Sequence, residues 1–261
     1  MPNYVKIPKE ITYDTTLTDK RGIIFSYLCA RRALDDTVAF STTELCHWSK
    51  LKPNYRAGKI NQKYYTTLSF LADQNYFLEH PDFQSLLEEN SNSTKFHLLK
   101  LNIEKFDVPD HFGLIYFDEL EKILNFKEEL EFSGLDTNRM SSAYLLLVLA
   151  YLRTNMNRIS GKPYCCYRFY STISEETGLS ERYIGRIVDI LDVLEIVKSV
   201  ALPRELYIDR NGKERFATTP KVFADYRHFV KDTNGNQRLD SEYDYKIEIE
   251  KQIKEMKNIY K

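Results

Sequence analysis

"ISEETGLSERYIGRIVDILDVLEIV", residues 173–197, holds two helical patterns with almost no chain between them. The first, polar and rich in helix formers, runs straight into Gly178-Leu179-Ser180. Ser180 then stands where an N-cap is wanted. Behind it Ile184, Ile187, Val188 and Leu191 recur at the spacing of one helix face. At about 100° per residue, Arg182, Arg186 and Asp189 project into one narrow sector on the other side. The stretch therefore predicts two helices joined by the turn Gly178-Leu179-Ser180, the second aliphatic inside and charged outside.

Around this stretch the chain shows a regular order. Residues 141–158, "SSAYLLLVLAYLRTNMNR", predict a long, nearly all-apolar and therefore buried helix. "PYCCYRFY" (163–170) alternates like a strand. After the two helices, "ELYIDRNGKERFATT" (205–219) reads as two strands about Asn211-Gly212, where both turn positions favour φ > 0. A two-residue loop there sets Arg210 opposite Lys213, with Arg215 on the same side of the ribbon and Tyr207 and Phe216 on the other.

The same order is expected earlier. Residues 19–34 carry a helical stripe (Ile23, Ile24, Tyr27, Leu28, Leu34) with Asp19 as N-cap, and a β-type piece follows at Val38–Phe40. A second helix starts behind Ser41 or Thr42, with Glu44 in its first turn. "KPNYRAGK" (52–59) breaks it, and a third helix puts Tyr64, Leu68 and Leu71 on one face. Strands at Tyr76–Leu78 and Phe96–Leu101 flank the polar "EENSNST". Helix, strand, helix, helix, hairpin thus occurs twice, with "FLADQNYF" (70–77) and "ILDVLEIV" (190–197) in corresponding places: a duplication of architecture with little identity.

That order is the layout of winged-helix units. Residues 173–197 resemble the winged helix-turn-helix consensus, with Gly178-Leu179-Ser180 as the turn, Tyr183-Ile184 where such proteins usually carry Thr-Val, and Leu191, Leu194 and Ile196 for the core. The resemblance is specific over 170–217 and looser over 19–101. More broadly, the opening "YVKIPKEI…LTDKRGIIFSYL" and the tandem layout resemble the replication initiators of plasmids and related mobile elements. The expected fold is mainly α with small β wings (α+β): two winged helix-turn-helix units in tandem, joined by an acidic helical linker. The expected boundaries are 1–108, linker 109–138, 139–228, and a tail over 229–261 whose stripe Ile249, Ile253, Met256, Tyr260 predicts a helix docked on its own domain.

The partner expected of this layout is double-stranded DNA. The helix behind Ser180 fits the major groove with its N-terminal residues at base edges. Ser180 caps it and leaves helix amides turned to phosphate. Arg182 and Arg186 read guanine or hold phosphates, Glu181 accepts from cytosine, Gly185 permits close approach, and Asp189 shares the sector. Arg210, Lys213 and Arg215 on the wing contact backbone or minor groove. In the first unit Gln62, Tyr65, Thr66 and Ser69 form a neutral outer face suited to polar base contacts, with Arg56, Lys59 and Lys63 toward phosphates, or else a protein-binding face.

A net charge of −1 does not argue against DNA, since a partner feels the local field. Lys50, Lys52, Arg56, Lys59 and Lys63 occur between residues 50 and 64 with no acid. Arg153, Arg158, Lys162 and Arg168 occur between 151 and 169, again with none. Residues 104–136 hold ten acids against three lysines, which reads as a linker that avoids nucleic acid.

Other classes find little support. Gly161-Lys162 lacks the upstream glycine of a phosphate-binding loop. The five histidines are scattered, and Cys29, Cys46, Cys165 and Cys166 have no zinc spacing, so neither metal nor cofactor nor catalysis is expected. The N-terminus lacks the order of a signal peptide and no apolar run reaches a membrane span, so a cytoplasmic location without membrane contact is expected. Replisome proteins and a second copy of the chain are the further partners implied. A transcriptional regulator is the alternative within the DNA-binding class, and a protein-interaction module the alternative outside it.

Overall fold

Alternating burial makes Tyr4–Pro8 the first strand, β1, and the chain turns straight into α1 (Lys9–Tyr13). The computed structural model describes residues 3–54, 56, 59–88, 95–108, 110–156, 165–201, 206–208, 213–216 and 220–226. The expected C-terminal helix, Arg158, Lys162, Arg210 and Asn211-Gly212 lie outside the described residues. After α1 come α2 (Arg21–Ala30), β2 (Thr37–Phe40), α3 (Thr42–Trp48), α4 (Ile60–Asp73), β3 (Phe77–Glu79), α5 (Phe83–Glu88), β4 (His97–Leu101) and α6 (Ile103–Phe106). Next are β5 (Phe112–Tyr116), α7 (Phe117–Leu124), α8 (Phe126–Glu129) and α9 (Ser142–Asn155). The last group is β6 (Cys165–Arg168), α10 (Tyr170–Thr177), α11 (Glu181–Val193), β7 (Val197–Ala201), β8 (Leu206–Ile208), β9 (Glu214–Phe216) and β10 (Lys221–Asp225). The chain mixes helices with small sheets, consistent with an α+β fold.

Two segments repeat one topology. α2-β2-α3-α4-β3-β4 carries an antiparallel sheet in the order β2-β4-β3. α9-β6-α10-α11-β7-β10 carries one in the order β6-β10-β7. In both, the last strand is central, because it enters between a strand formed before the helix pair and one formed after it. Local signals match several expectations: the Ser41 hydroxyl accepts from the Glu44 amide, and Tyr64, Leu68 and Leu71 are buried.

Several expectations need correction. Residues 112–116, expected inside a helical linker, form β5 and pair with β1 in register Tyr4↔Tyr116 to Pro8↔Phe112. A short apolar run among acids had hidden the strand. Asp19 does not cap α2; Lys20 holds that position, and Asp19 pairs with Lys20 and Lys63. The strands completing the second sheet are β7 and β10, while β8 and β9 form a separate ribbon between them. Their register, Tyr207↔Arg215 and Ile208↔Glu214, is one residue off that of a two-residue Asn211-Gly212 loop. Arg215 is thus paired with Tyr207 instead of Ile208, the partner that a two-residue loop would give it.

The helix α9 lies at the centre. Leu145 to Leu152 are fully buried, and a single apolar cluster runs through both repeats. β5 lies directly on α9: a Cβ at Gly113 would stand 2.4 Å from the Ala150 carbonyl oxygen, so only glycine permits this approach. Near the end of α9, Arg153 is fully buried and holds three elements together. It donates to both Glu119 oxygens (2.5 and 2.8 Å) and to the Leu114 carbonyl (2.7 Å), and its Nε lies 2.8 Å from Asp225 of β10. A buried ion needs such partners, because its lost hydration is worth several kcal/mol. Burial works to lower the Arg153 pKa, and the two carboxylates more than reverse it.

Candidate nucleic-acid interface

The turn into α11 follows from its residues. Gly178 adopts φ 73° and its amide bonds the Ser174 carbonyl at 2.9 Å. Leu179 is buried and its carbonyl accepts from the Ser174 hydroxyl at 2.6 Å. Arg21 at the start of α2 reaches across to donate to the Thr177 carbonyl (2.8 Å) and to Thr12 (2.9 Å), which places a cation at the C-terminus of α10. Burial lowers this guanidinium to about 10. The first repeat thereby fixes the turn in the second.

Ile184, Ile187, Val188 and Leu191 are buried as expected, and Glu181, Arg182 and Asp189 are exposed. Three expectations change. Ser180 occupies the N-cap position, but its side chain makes no cap hydrogen bond. Gly185 is half-buried, and a Cβ there would sit 3.5 Å from the Tyr170 ring, so the position faces α10 instead of clearing space for an outside partner. Arg186 is half-buried and its Nη1 lies 3.1 Å from Asp136. The outer face of α11 is thus of mixed sign, with Glu181 and Asp189 beside the arginines, and is not the uniformly cationic ridge its arginines suggest.

Two cations beside it carry no ion pair among the described residues: Arg182 and Arg139, the latter exposed just before α9. Sequence reasoning missed Arg139 and Asp136, because nothing in their spacing links a presumed linker end to α11. Lys213 is exposed, and Arg215 is placed only by its strand register. Lys198 pairs with Asp192, and Lys221 donates to the Tyr170 hydroxyl while lying over its ring.

In the first repeat Lys50, Lys52, Arg56 and Lys59 are exposed and, among the described residues, without an ion pair. Lys63 instead pairs with Asp19 at 3.0 Å and Thr67 bonds Thr18, so that flank of α4 faces its own chain. Tyr65, expected on the outer face, is buried; Thr66 is exposed and Gln62 and Ser69 are half-buried. In the second basic run Arg153 is internal, and Arg168 is bound to the Tyr151 hydroxyl and Asn155.

Among the described residues no group of three or more His, Cys, Asp or Glu is placed to hold a metal ion. Burial pushes the thiols of Cys29, Cys46 and Cys166 up to about 12. No helix of the described residues is long and apolar enough to cross a membrane. No protein-family model and no curated protein matches this sequence.

Proposed function

We propose that the two repeats are winged helices and that the protein binds double-stranded DNA sequence-specifically, with α11 in the major groove, as a replication initiator of a plasmid or mobile element. One observation carries the reading. α11 follows a left-handed turn, rests on a three-stranded sheet of order β6-β10-β7, and presents an exposed Arg182 in its first turn next to Arg139 and Arg186. Side chains in the first turns of such a helix are those that reach base edges. The initiator assignment draws on the tandem layout and the opening phrase.

The test is a titration with duplex DNA across salt concentrations. Each phosphate neutralised should steepen the fall of log affinity with log salt by about 0.9. Replacing Arg182 and Arg186 together by Ala should abolish sequence preference, and unaltered selectivity in that double variant refutes the role of α11. Mapping bound sites in the source genome separates an initiator, on repeated origin elements, from a regulator on promoters.

A second reading concerns the first repeat alone. The outer face of its sheet exposes Leu98 (69%) and Leu78 (63%), with Ala39 opposite Leu98. Aliphatics exposed together on a sheet mark a contact surface, and the partner proposed for it is a second copy of the chain. Sedimentation equilibrium of Leu78→Lys and Leu98→Lys variants tests it: a wild-type dimer that the substitutions dissociate supports the reading, and a wild-type monomer removes it.

A further inference from the structure

A cleft of about 410 Å³ opens between residues 136–139 and the start of α11, lined by Asp136, Asn138 and Arg139 on one side and by Ser180, Arg182 and Arg186 on the other. Three guanidinium groups and one carboxylate share it, a formal balance of +3 − 1 = +2. The single acid is already engaged on both oxygens. Its Oδ2 lies 3.1 Å from Arg186 Nη1, and its Oδ1 accepts from the Asn138 amide at 3.0 Å. Asp136 is half exposed, so water competes for this pair, and such pairs are weak. Arg139 and Arg182 bring two further forks of donors that carry no ion pair among the described residues, and guanidinium forks match the paired oxygens of a phosphodiester. The Ser180 hydroxyl, unused as a cap, lines the same space.

We propose that this cleft is a seat for one nucleic-acid backbone phosphate, and that Asp136 occupies it in the free protein, holding Arg186 until phosphate displaces the carboxylate. The inference rests on the duplex-binding reading and deepens it. Arg186 becomes a backbone contact, and the acid-rich segment before α9 becomes a self-mask for the interface. No bond is made or broken; one anion replaces another on the same guanidinium.

The test is a double-mutant cycle on duplex affinity with Asp136→Asn, Arg186→Gln and the double variant. Asn keeps a side-chain oxygen for the Asn138 amide and removes the charge. The expected result is a two- to fivefold gain in affinity for Asp136→Asn, an estimate of about the strength of an exposed ion pair, and no gain when Arg186 is already Gln. An equal gain in both backgrounds reduces Asp136 to through-space repulsion and overturns the proposal, as does no gain at all. A second readout does not depend on DNA. The Arg186 side-chain NMR signal should shift on adding inorganic phosphate, and at lower phosphate concentration in Asp136→Asn. A phosphate response without duplex binding keeps the seat and sinks the DNA reading; duplex binding without a phosphate response and without coupling does the reverse.

Discussion

Two stretches of this chain are basic and free of acids, and they end in opposite environments. Between Lys50 and Lys59 four cations stand in solvent, on a loop where the Arg56 amide donates to the Asn54 side chain and the Asn54 amide to that of Asn61. Between Tyr151 and Arg168 the two described cations are taken up by their own chain: Arg153, buried, between Glu119 and Asp225, and Arg168, half-buried, on Tyr151 and Asn155. The difference comes from the backbone that carries them. A loop after α3 has no buried face to fill, whereas Arg153 sits on α9, apolar on all sides and covered by β5, α2 and α7. A charge on such a helix enters the interior and recruits counter-charges from distant segments. The acids that neutralise it are remote in sequence, so a run free of acids says little about the field a partner meets.

The largest effect that would break this contrast is Arg153→Met. It leaves Glu119 and Asp225 buried without their cation and should cost about 3–5 kcal/mol of stability, read from urea unfolding. Arg56→Gln and Lys59→Gln should stay within about 0.5 kcal/mol. An Arg153 variant as stable as wild type would place that residue with the surface cations after all.

Next in size is the contrast between helices. Arg182→Gln should weaken duplex binding by about 1–3 kcal/mol in anisotropy titrations, while Lys63→Gln, already paired with Asp19, should change it by less than about 0.5 kcal/mol. Equal losses would put α4 and α11 on the same footing.

A smaller change is expected from removing Lys52, Arg56 and Lys59 together. If this loop touches backbone, the slope of log affinity against log salt should flatten by about one for each contact removed, with selectivity unchanged. A slope identical to wild type assigns the loop no phosphate.

The smallest effect is one of pH. Burial works to raise the Asp19 carboxyl, but the ammonium groups of Lys20 and Lys63 outweigh it and hold it below the usual carboxylate range. A depressed native pKa gives stability that is present above the unfolded value near 4 and lost as pH falls through the native one. Unfolding midpoints at pH 6 and pH 3 should therefore differ more for wild type than for Asp19→Asn. Identical differences would mean that the Asp19–Lys63 pair contributes nothing to folding.

Much of the helical frame is legible in the residues. The run 141–158 announces a buried helix, and Gly178-Leu179-Ser180 announces the turn before α11, because apolar patterning and turn signals act within a few residues. The strand β5 is not legible. "FGLIY" is too short to show a period and lies among acids, and its partner β1 is a hundred residues away in the chain. The strand that completes the second sheet is not legible for a related reason: Asn211-Gly212 is a strong local hairpin signal, but the choice of β10 as the central strand is made by pairing with β6. On α11 the outward projection of Arg182 is readable from helix geometry, while the pairing of Arg186 with Asp136 is not.

By itself, then, the order of residues determined α2, α3, α4, α9, α10 and α11, most of their buried faces, and the repetition of one layout along the chain. Those depend on neighbours three or four positions apart. Tertiary structure alone decided which charges remain available to a partner and which are consumed. The reason is that Coulombic pairing and desolvation depend on distances in space, and Arg153, Arg168 and Arg186 meet their partners only once α7, α9, β6 and β10 have packed and the segment carrying Asp136 has come to lie against α11.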